Sequence, residues 1–132
     1  MPPRLQCIDH VHVFVTDRVA AERWYAQVLG LTRVKALEFW ADGGGPLTLA
    51  DPSDTIHIAL FERPHQKCRS TIALAASAAD FLAWRSHLAA ALDAPPKVED
   101  HGVSWSLYFS DPDDNPYEIT SADYEELAAD LR

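Results

Sequence analysis

Three side chains far apart in the chain, His10, His57 and Glu118, are of the types that bind divalent transition metals, and their spacing repeats. His57 follows His10 by 47 positions, and Glu118 follows Thr71 by the same 47. Displacing the first half of the chain by 61 lays His10 on Thr71, His57 on Glu118, Val13 on Leu74 and Leu31 on Leu92. A displacement of 60 lays Trp24 on Trp84. Two copies of one structural unit would hold such positions at related places on their sheets. Two imidazoles and a carboxylate suit Fe(II), Mn(II), Ni(II), Co(II) or Zn(II) and leave coordination positions open. An ion held there would act as a Lewis acid and stabilise negative charge developing on a bound substrate. The proton shuttle is then Glu118, if it leaves the metal, or His57, if it is not a ligand.

The elements that must carry these residues follow from periodicity. Ile8–Asp17 alternates strictly, with Val11, Val13 and Val15 on one face and His10, His12 and Phe14 on the other. β-branched residues on one face mark the side that packs on a core. Buried histidines need partners for both ring nitrogens, so the opposite face is expected to line a polar cavity. Thr16 or Asp17 caps a helix whose apolar stripe is Ala21, Trp24, Tyr25, Val28 and Leu29, closed by Gly30. Residues 31–41 are read as an extended strand ending near Phe39 and Trp40. Gly43-Gly44-Gly45-Pro46 makes a turn and lacks the context of a phosphate loop. Strands at Leu47–Ala50 and Thr55–Glu62 flank the turn Asp51-Pro52-Ser53-Asp54; the second sets His57, Ala59 and Phe61 on one face.

After a linker at 63–69 the order begins again. A strand at Ser70–Ala75 precedes a helix capped by Ser77 with Asp80 and striped by Phe81, Trp84, Leu88, Ala91 and Leu92. Pro95-Pro96 closes it. Strands near Val98, at Val103–Ser110 and at Pro116–Thr120 follow, the last two joined by the turn Asp111-Pro112-Asp113-Asp114-Asn115. A short helix begins at Ser121. Both halves therefore read strand, helix, strand, strand, strand.

A chain of 132 residues with 48% apolar and 23% charged residues is that of one soluble domain. No run is long enough to span a membrane, and Met1-Pro2-Pro3-Arg4 does not open a signal peptide. Cys7 and Cys68 are too few for a disulfide framework and point to a reducing cytoplasm. A formal charge of −9 argues against nucleic acid and anionic membranes as partners.

Three segments resemble the vicinal oxygen chelate superfamily, which includes glyoxalase I, extradiol dioxygenases, fosfomycin-resistance enzymes and bleomycin-resistance proteins. They are Ile8-Asp9-His10-Val11 with Asp17, Trp24–Gly30, and Ser106–Ile119, which looks like the family's DPDGN-x-x-E signature with Asp114 in place of Gly. The resemblance implies an α+β fold, a pair of βαβββ modules (about 6–62 and 70–120) whose mixed sheets curve into a cup, with a C-terminal helix. It implies a homodimer with composite sites, one divalent metal ion and a small-molecule substrate. His10 and Glu118 match the family's first and last ligand positions. Thr71 falls where metal-binding members carry a second His, and His57 falls at or beside the position of a ligand carboxylate or an acid–base His. Tyr108 matches the helper tyrosine of extradiol-like members.

The expected function is a metal-dependent lyase, isomerase or dioxygenase acting on a small substrate with adjacent oxygens. Its expected catalytic residues are Glu118, Tyr108 and His57, and its ligands His10, His57 and Glu118. His12, Phe14, Phe39, Trp40, Phe61, Thr71 and Ser106 are expected around the substrate. The fosfomycin branch is set aside, because Ser121–Asp130 offers no Lys or Arg to grip a phosphonate. The alternative is a metal-free binding protein of bleomycin-resistance type, with aromatic side chains for stacking and an acidic balance suited to a cationic ligand.

Overall fold

The computed structural model describes residues 1–132, which form two compact units, Met1–Gln66 and Lys67–Arg132. Each is a βαβββ module of α+β type with one four-stranded mixed sheet. The first runs β1 (Val11–Val15), α1 (Arg18–Trp24), β2 (Thr32–Arg33), α2 (Phe39–Asp42), β3 (Leu47–Ala50) and β4 (His57–Glu62), with sheet order β1-β4-β3-β2. The second runs β5 (Ile72–Ala75), α3 (Ala78–Ala91), β6 (Lys97–Asp100), β7 (Trp105–Ser110), β8 (Pro116–Ser121) and α4 (Tyr124–Leu131), ordered β5-β8-β7-β6. In each unit the first strand pairs parallel to the last, and the remaining ladders are antiparallel. No helix is long and apolar enough to cross a membrane.

Alternation decides which face of each sheet is core. Val13, Val15, Leu47, Leu49, Ile58 and Leu60 are buried with Ala21, Tyr25, Val28 and Leu29 of the first helix. The Asp17 carboxylate caps that helix by accepting from the Ala20 N–H at 3.1 Å. Over Tyr25–Leu29 the helix widens to π-type bonding and stops at Gly30, whose φ of 70° is left-handed. The wider turn brings Tyr25, Val28 and Leu29 into the core together. In the second unit Phe81, Leu88, Leu107, Tyr117, Ile119 and Leu127 are buried, and the Ser77 hydroxyl accepts from the Asp80 N–H at 3.2 Å.

Two expectations need correction. Residues 31–41 are not a strand: extension ends at Arg33, a 3₁₀ turn covers Lys35–Leu37, and Phe39–Asp42 is helical. The reversal is held by Arg18, whose guanidinium donates to the carbonyls of Gly45 (3.0 Å) and Ala41 (3.3 Å). It also needs glycine at 45, since a Cβ there would lie 2.7 Å from the Trp40 carbonyl oxygen. The second correction concerns the repeat. The β1/β4 ladder sets Val11 beside Ile58, an offset of 47, so His10 leads toward His57. The β5/β8 ladder sets Ala73 beside Glu118, an offset of 45, and Thr71 precedes the strand. Ala73, not Thr71, is therefore the ladder neighbour of Glu118. Equal spacing in sequence did not mean equal register: ladder partners stand 47 residues apart in the first unit and 45 in the second.

The Asp111–Asn115 turn closes around its own side chains. Asp111 Oδ1 accepts from the N–H groups of Asp113 and Asn115, both at 2.9 Å, and Oδ2 accepts from Asn115 Nδ2 at 2.8 Å. Asp114 takes the left-handed φ of 63° that the family's usual glycine adopts without strain. Asp114→Gly is expected to stabilise the chain by about 0.5 kcal/mol, the relief of strain exceeding glycine's entropic cost. Asp114→Val should destabilise it by about 1–2 kcal/mol. Urea midpoints of the two variants check the sign of both.

Candidate functional site

In the first unit the non-core face of the sheet carries His12 and Phe14 on β1, with His10 just before that strand, and His57, Ala59 and Phe61 on its neighbour. Next to them β3 contributes Thr48 and Ala50, which pair with Ala59 and His57. The α2 reversal lays Leu37 and Trp40 against this face. The result is a hollow of about 180 Å³ lined by Asp9, His10, Trp40, Thr48, His57 and Ala59, with Leu37 and Pro46 at its edge.

Two carboxylates orient the two imidazoles. His10 Nδ1 donates to Asp9 Oδ2 at 2.8 Å, which in the neutral ring leaves the lone pair on Nε2. That Nε2 lies 3.0 Å from Nε2 of His12, with the ring centroids 5.0 Å apart and the planes 24° apart. His57 Nε2 donates to Asp54 Oδ1 at 2.7 Å, which in the neutral ring leaves Nδ1 as the acceptor. Asp54 itself stands in the β3–β4 turn at a left-handed φ of 59°.

Asp51 anchors that turn. Its carboxylate accepts from the Ser53 hydroxyl and from the Thr55 and Ile56 N–H groups, the latter two at 2.8 Å. The Ser53 hydrogen bond first, with the Ile56 N–H next, holds its carboxyl well below the usual range. A depressed carboxyl contributes stability that is complete above its unfolded value, about 3.9, and disappears as pH falls through the folded one. The stability gap between wild type and Asp51→Ala is therefore expected to narrow as pH is lowered from about 5 to 2. Urea unfolding along a pH series reads it directly.

Aromatic rings extend the polar face beyond the hollow. His12 packs on Phe61 at 4.7 Å between centroids, and Phe14 meets Phe61 edge-on at 6.1 Å. Phe39 stays 61% exposed and touches the hollow only through its 5.4 Å ring contact with Trp40. A larger depression of about 310 Å³ borders Arg18, Glu22, Arg33 and Glu38. Its cations are engaged: Arg33 donates to Glu22 at 2.7 Å and to Glu38 at 3.2 Å, and Arg18 to the Gly45 and Ala41 carbonyls.

In the second unit the equivalent face carries Glu118 and Thr120 on β8, Ser106 and Tyr108 on β7, and Ala73 and Ala75 on β5. Ser106 is fully buried, and its hydroxyl donates to Glu118 Oε2 at 2.6 Å. The Tyr108 hydroxyl and His101 Nε2 share a hydrogen bond of 2.9 Å. Thr71 is exposed.

Of the residues singled out in the sequence, His10, His57 and Trp40 meet at one hollow. His12, Phe14 and Phe61 lie along the same sheet face. Glu118, Ser106 and Tyr108 share a face of the second sheet. No group of three or more His, Cys, Asp or Glu side chains stands ready to hold an ion. Sequence reasoning passed over Asp9 and Asp54. Asp9 directly precedes His10, and Asp54 stands three residues before His57; short acidic neighbours of a candidate histidine were the available signal.

Two βαβββ units, each with its first and last strands parallel, define a class of α+β protein. The chain belongs to the Glyoxalase/Bleomycin resistance protein/Dioxygenase superfamily, whose model matches residues 7–119. Solved structures of the same fold include a glyoxalase/dioxygenase from Nostoc punctiforme, 20% identical, with a TM-score of 0.67 over 92% of this chain and 94% of that one. The fosfomycin resistance protein FosX from Listeria monocytogenes, solved with Mn(II) and sulfate, is 13% identical, with a TM-score of 0.64 over 98% of this chain and 100% of that one. A glyoxylase/bleomycin resistance protein/dioxygenase domain from Frankia sp. EAN1pec is 16% identical, with a TM-score of 0.67 over 90% and 93% of the two chains. No curated protein matches the chain by sequence.

Proposed function

We propose that this chain is a metal-dependent enzyme of the glyoxalase/dioxygenase type, acting on a small substrate with adjacent oxygens. One observation carries the reading: Asp9 fixes the tautomer of His10 so that Nε2 is the basic nitrogen, the carboxylate–histidine arrangement that prepares an imidazole for a metal. Glu118 is prepared in a similar way by the Ser106 hydroxyl. Imidazole and carboxylate donors fit a divalent ion such as Fe, Mn, Ni, Co or Zn. The residues that would hold it are His10 and Glu118, with His57 the third member of the set. When bound, such an ion supplies Lewis-acid polarisation of the substrate oxygens.

The remaining work falls to the chain's own side chains. Where His57 is not a ligand, its Nδ1, with Nε2 steadied by Asp54, holds or accepts a proton. Tyr108 donates from its hydroxyl, with His101 as the partner that takes up or returns the proton. Trp40 and Leu37 cover the hollow beside His10 and His57 and limit the entry of water. The homodimer implied by the resemblance, and the cytoplasmic setting inferred from the two cysteines, belong to the same reading.

A second reading, a metal-free cup that sequesters a small molecule, draws support from the mixed apolar and polar lining of the hollow. Metal analysis of protein purified without chelator separates the two. Stoichiometric metal in a folded protein supports the enzyme; folded protein that neither retains nor rebinds a divalent ion supports the binder.

A further inference from the structure

His12 has no part in the proposed ligand set, yet it is the imidazole nearest to the basic nitrogen of His10. Their Nε2 atoms are 3.0 Å apart. Two imidazole nitrogens bound at about 2.0–2.1 Å to one tetrahedral ion stand about 3.3 Å from each other, and a right-angled pair stands at about 3.0 Å. The two rings therefore need only small side-chain rotations to share an ion. The rings of His10 and His12 already stand together, with centroids 5.0 Å apart and planes 24° apart, so no rearrangement of the main chain is required. His57 is placed differently. It does not join His10 and His12 in a group of three donors, and its Nε2 donates to Asp54 at 2.7 Å, which leaves only Nδ1 for an ion.

We propose that His10 and His12 are the two imidazole donors for a divalent transition-metal ion of borderline softness, with His57 left outside the coordination sphere. The ion takes the place of the proton shared between the two Nε2 atoms. Nδ1 of His10 keeps its proton on Asp9, and His12 exchanges its Nε2 proton for one on Nδ1, so neither ring changes charge. The side chain of His10 is 43% exposed, which gives an ion access from solvent. The chemistry left to His57 is then proton transfer alone. This inference rests on the metal-dependent reading above and reassigns one of its donors.

The test is Zn(II) binding by calorimetry to the wild-type chain and to His10→Gln, His12→Gln and His57→Gln, each checked for native circular dichroism. His10→Gln and His12→Gln are expected to weaken binding by at least about tenfold, and His57→Gln by less than about threefold. Nitrogen-15 chemical shifts of the imidazoles in the wild-type chain provide a readout independent of the variants. One equivalent of Zn(II) should move Nε2 of His10 and of His12 and leave both ring nitrogens of His57 in place. Zn(II) affinity lost in His57→Gln and kept in His12→Gln, or a metal-induced shift at His57 with none at His12, overturns the proposal while leaving the metal-dependent reading intact. A wild-type chain that binds no divalent ion overturns both.

Discussion

His10→Gln is expected to weaken divalent metal binding by at least about tenfold and to bring any turnover down to background, while the protein stays folded. The expectation follows from where His10 stands. It lies just before β1, outside the core, so glutamine in its place empties no packed volume. It is nonetheless the ring whose tautomer is set, by Asp9 at 2.8 Å, and glutamine offers an amide where the metal needs an imidazole. Metal content by plasma emission spectrometry, beside a thermal melt, checks both halves of the expectation. Glu118→Gln should behave in the same direction if its carboxylate belongs to the centre. It keeps the shape that accepts from Ser106 and removes the charge that attracts the cation.

The largest effect on stability is expected from Asp111→Ala, about 3 kcal/mol. Asp111 and Asn115 are 4% and 3% exposed, so the groups that depend on the carboxylate cannot turn to water. Removing it strands the backbone N–H of Asn115 and one Nδ2 hydrogen, each costing about 1–3 kcal/mol when left buried and unpaired. The turn also sets how Ser110 pairs with Pro116, and so the register that brings Ser106 and Tyr108 across from Thr120 and Glu118. Equilibrium urea unfolding of Asp111→Ala and of Asp111→Asn separates the loss of the acceptor from the loss of charge. The asparagine variant should recover part of the stability, since its amide oxygen still accepts.

These two sites show how far the sequence could be read. The alternating valines of β1 and the stripe ending at Gly30 follow backbone geometry, and both formed the elements expected of them. Side-chain caps were legible for the same reason: Asp17 and Ser77 each bond a backbone N–H three residues on. The segment around Phe39 and Trp40 was misread because aromatic residues suit strands in isolation. Its helical turn is imposed by a long-range agent, the Arg18 guanidinium on two carbonyls, and by a glycine close to Trp40. Local pattern carries no trace of such a contact.

Register was the other blind spot. A spacing of 47 in both halves suggested Thr71 as the counterpart of His10, but ladder partners in the second unit stand 45 apart, and Ala73 is the residue beside Glu118. At the candidate site the histidines could be picked out by type and face. What each ring nitrogen does could not, because it depends on Asp9, His12 and Asp54, whose side-chain directions are settled only in the folded chain.

The central claim is that His10 presents a prepared nitrogen to a divalent ion. Crystals grown with one equivalent of Zn(II), with an anomalous difference map recorded at the zinc edge, test it most directly. The account predicts a single strong peak about 2.1 Å from Nε2 of His10, with Asp9 still on Nδ1. A map with no ordered peak, or with its peak elsewhere and His10 unengaged, would contradict it.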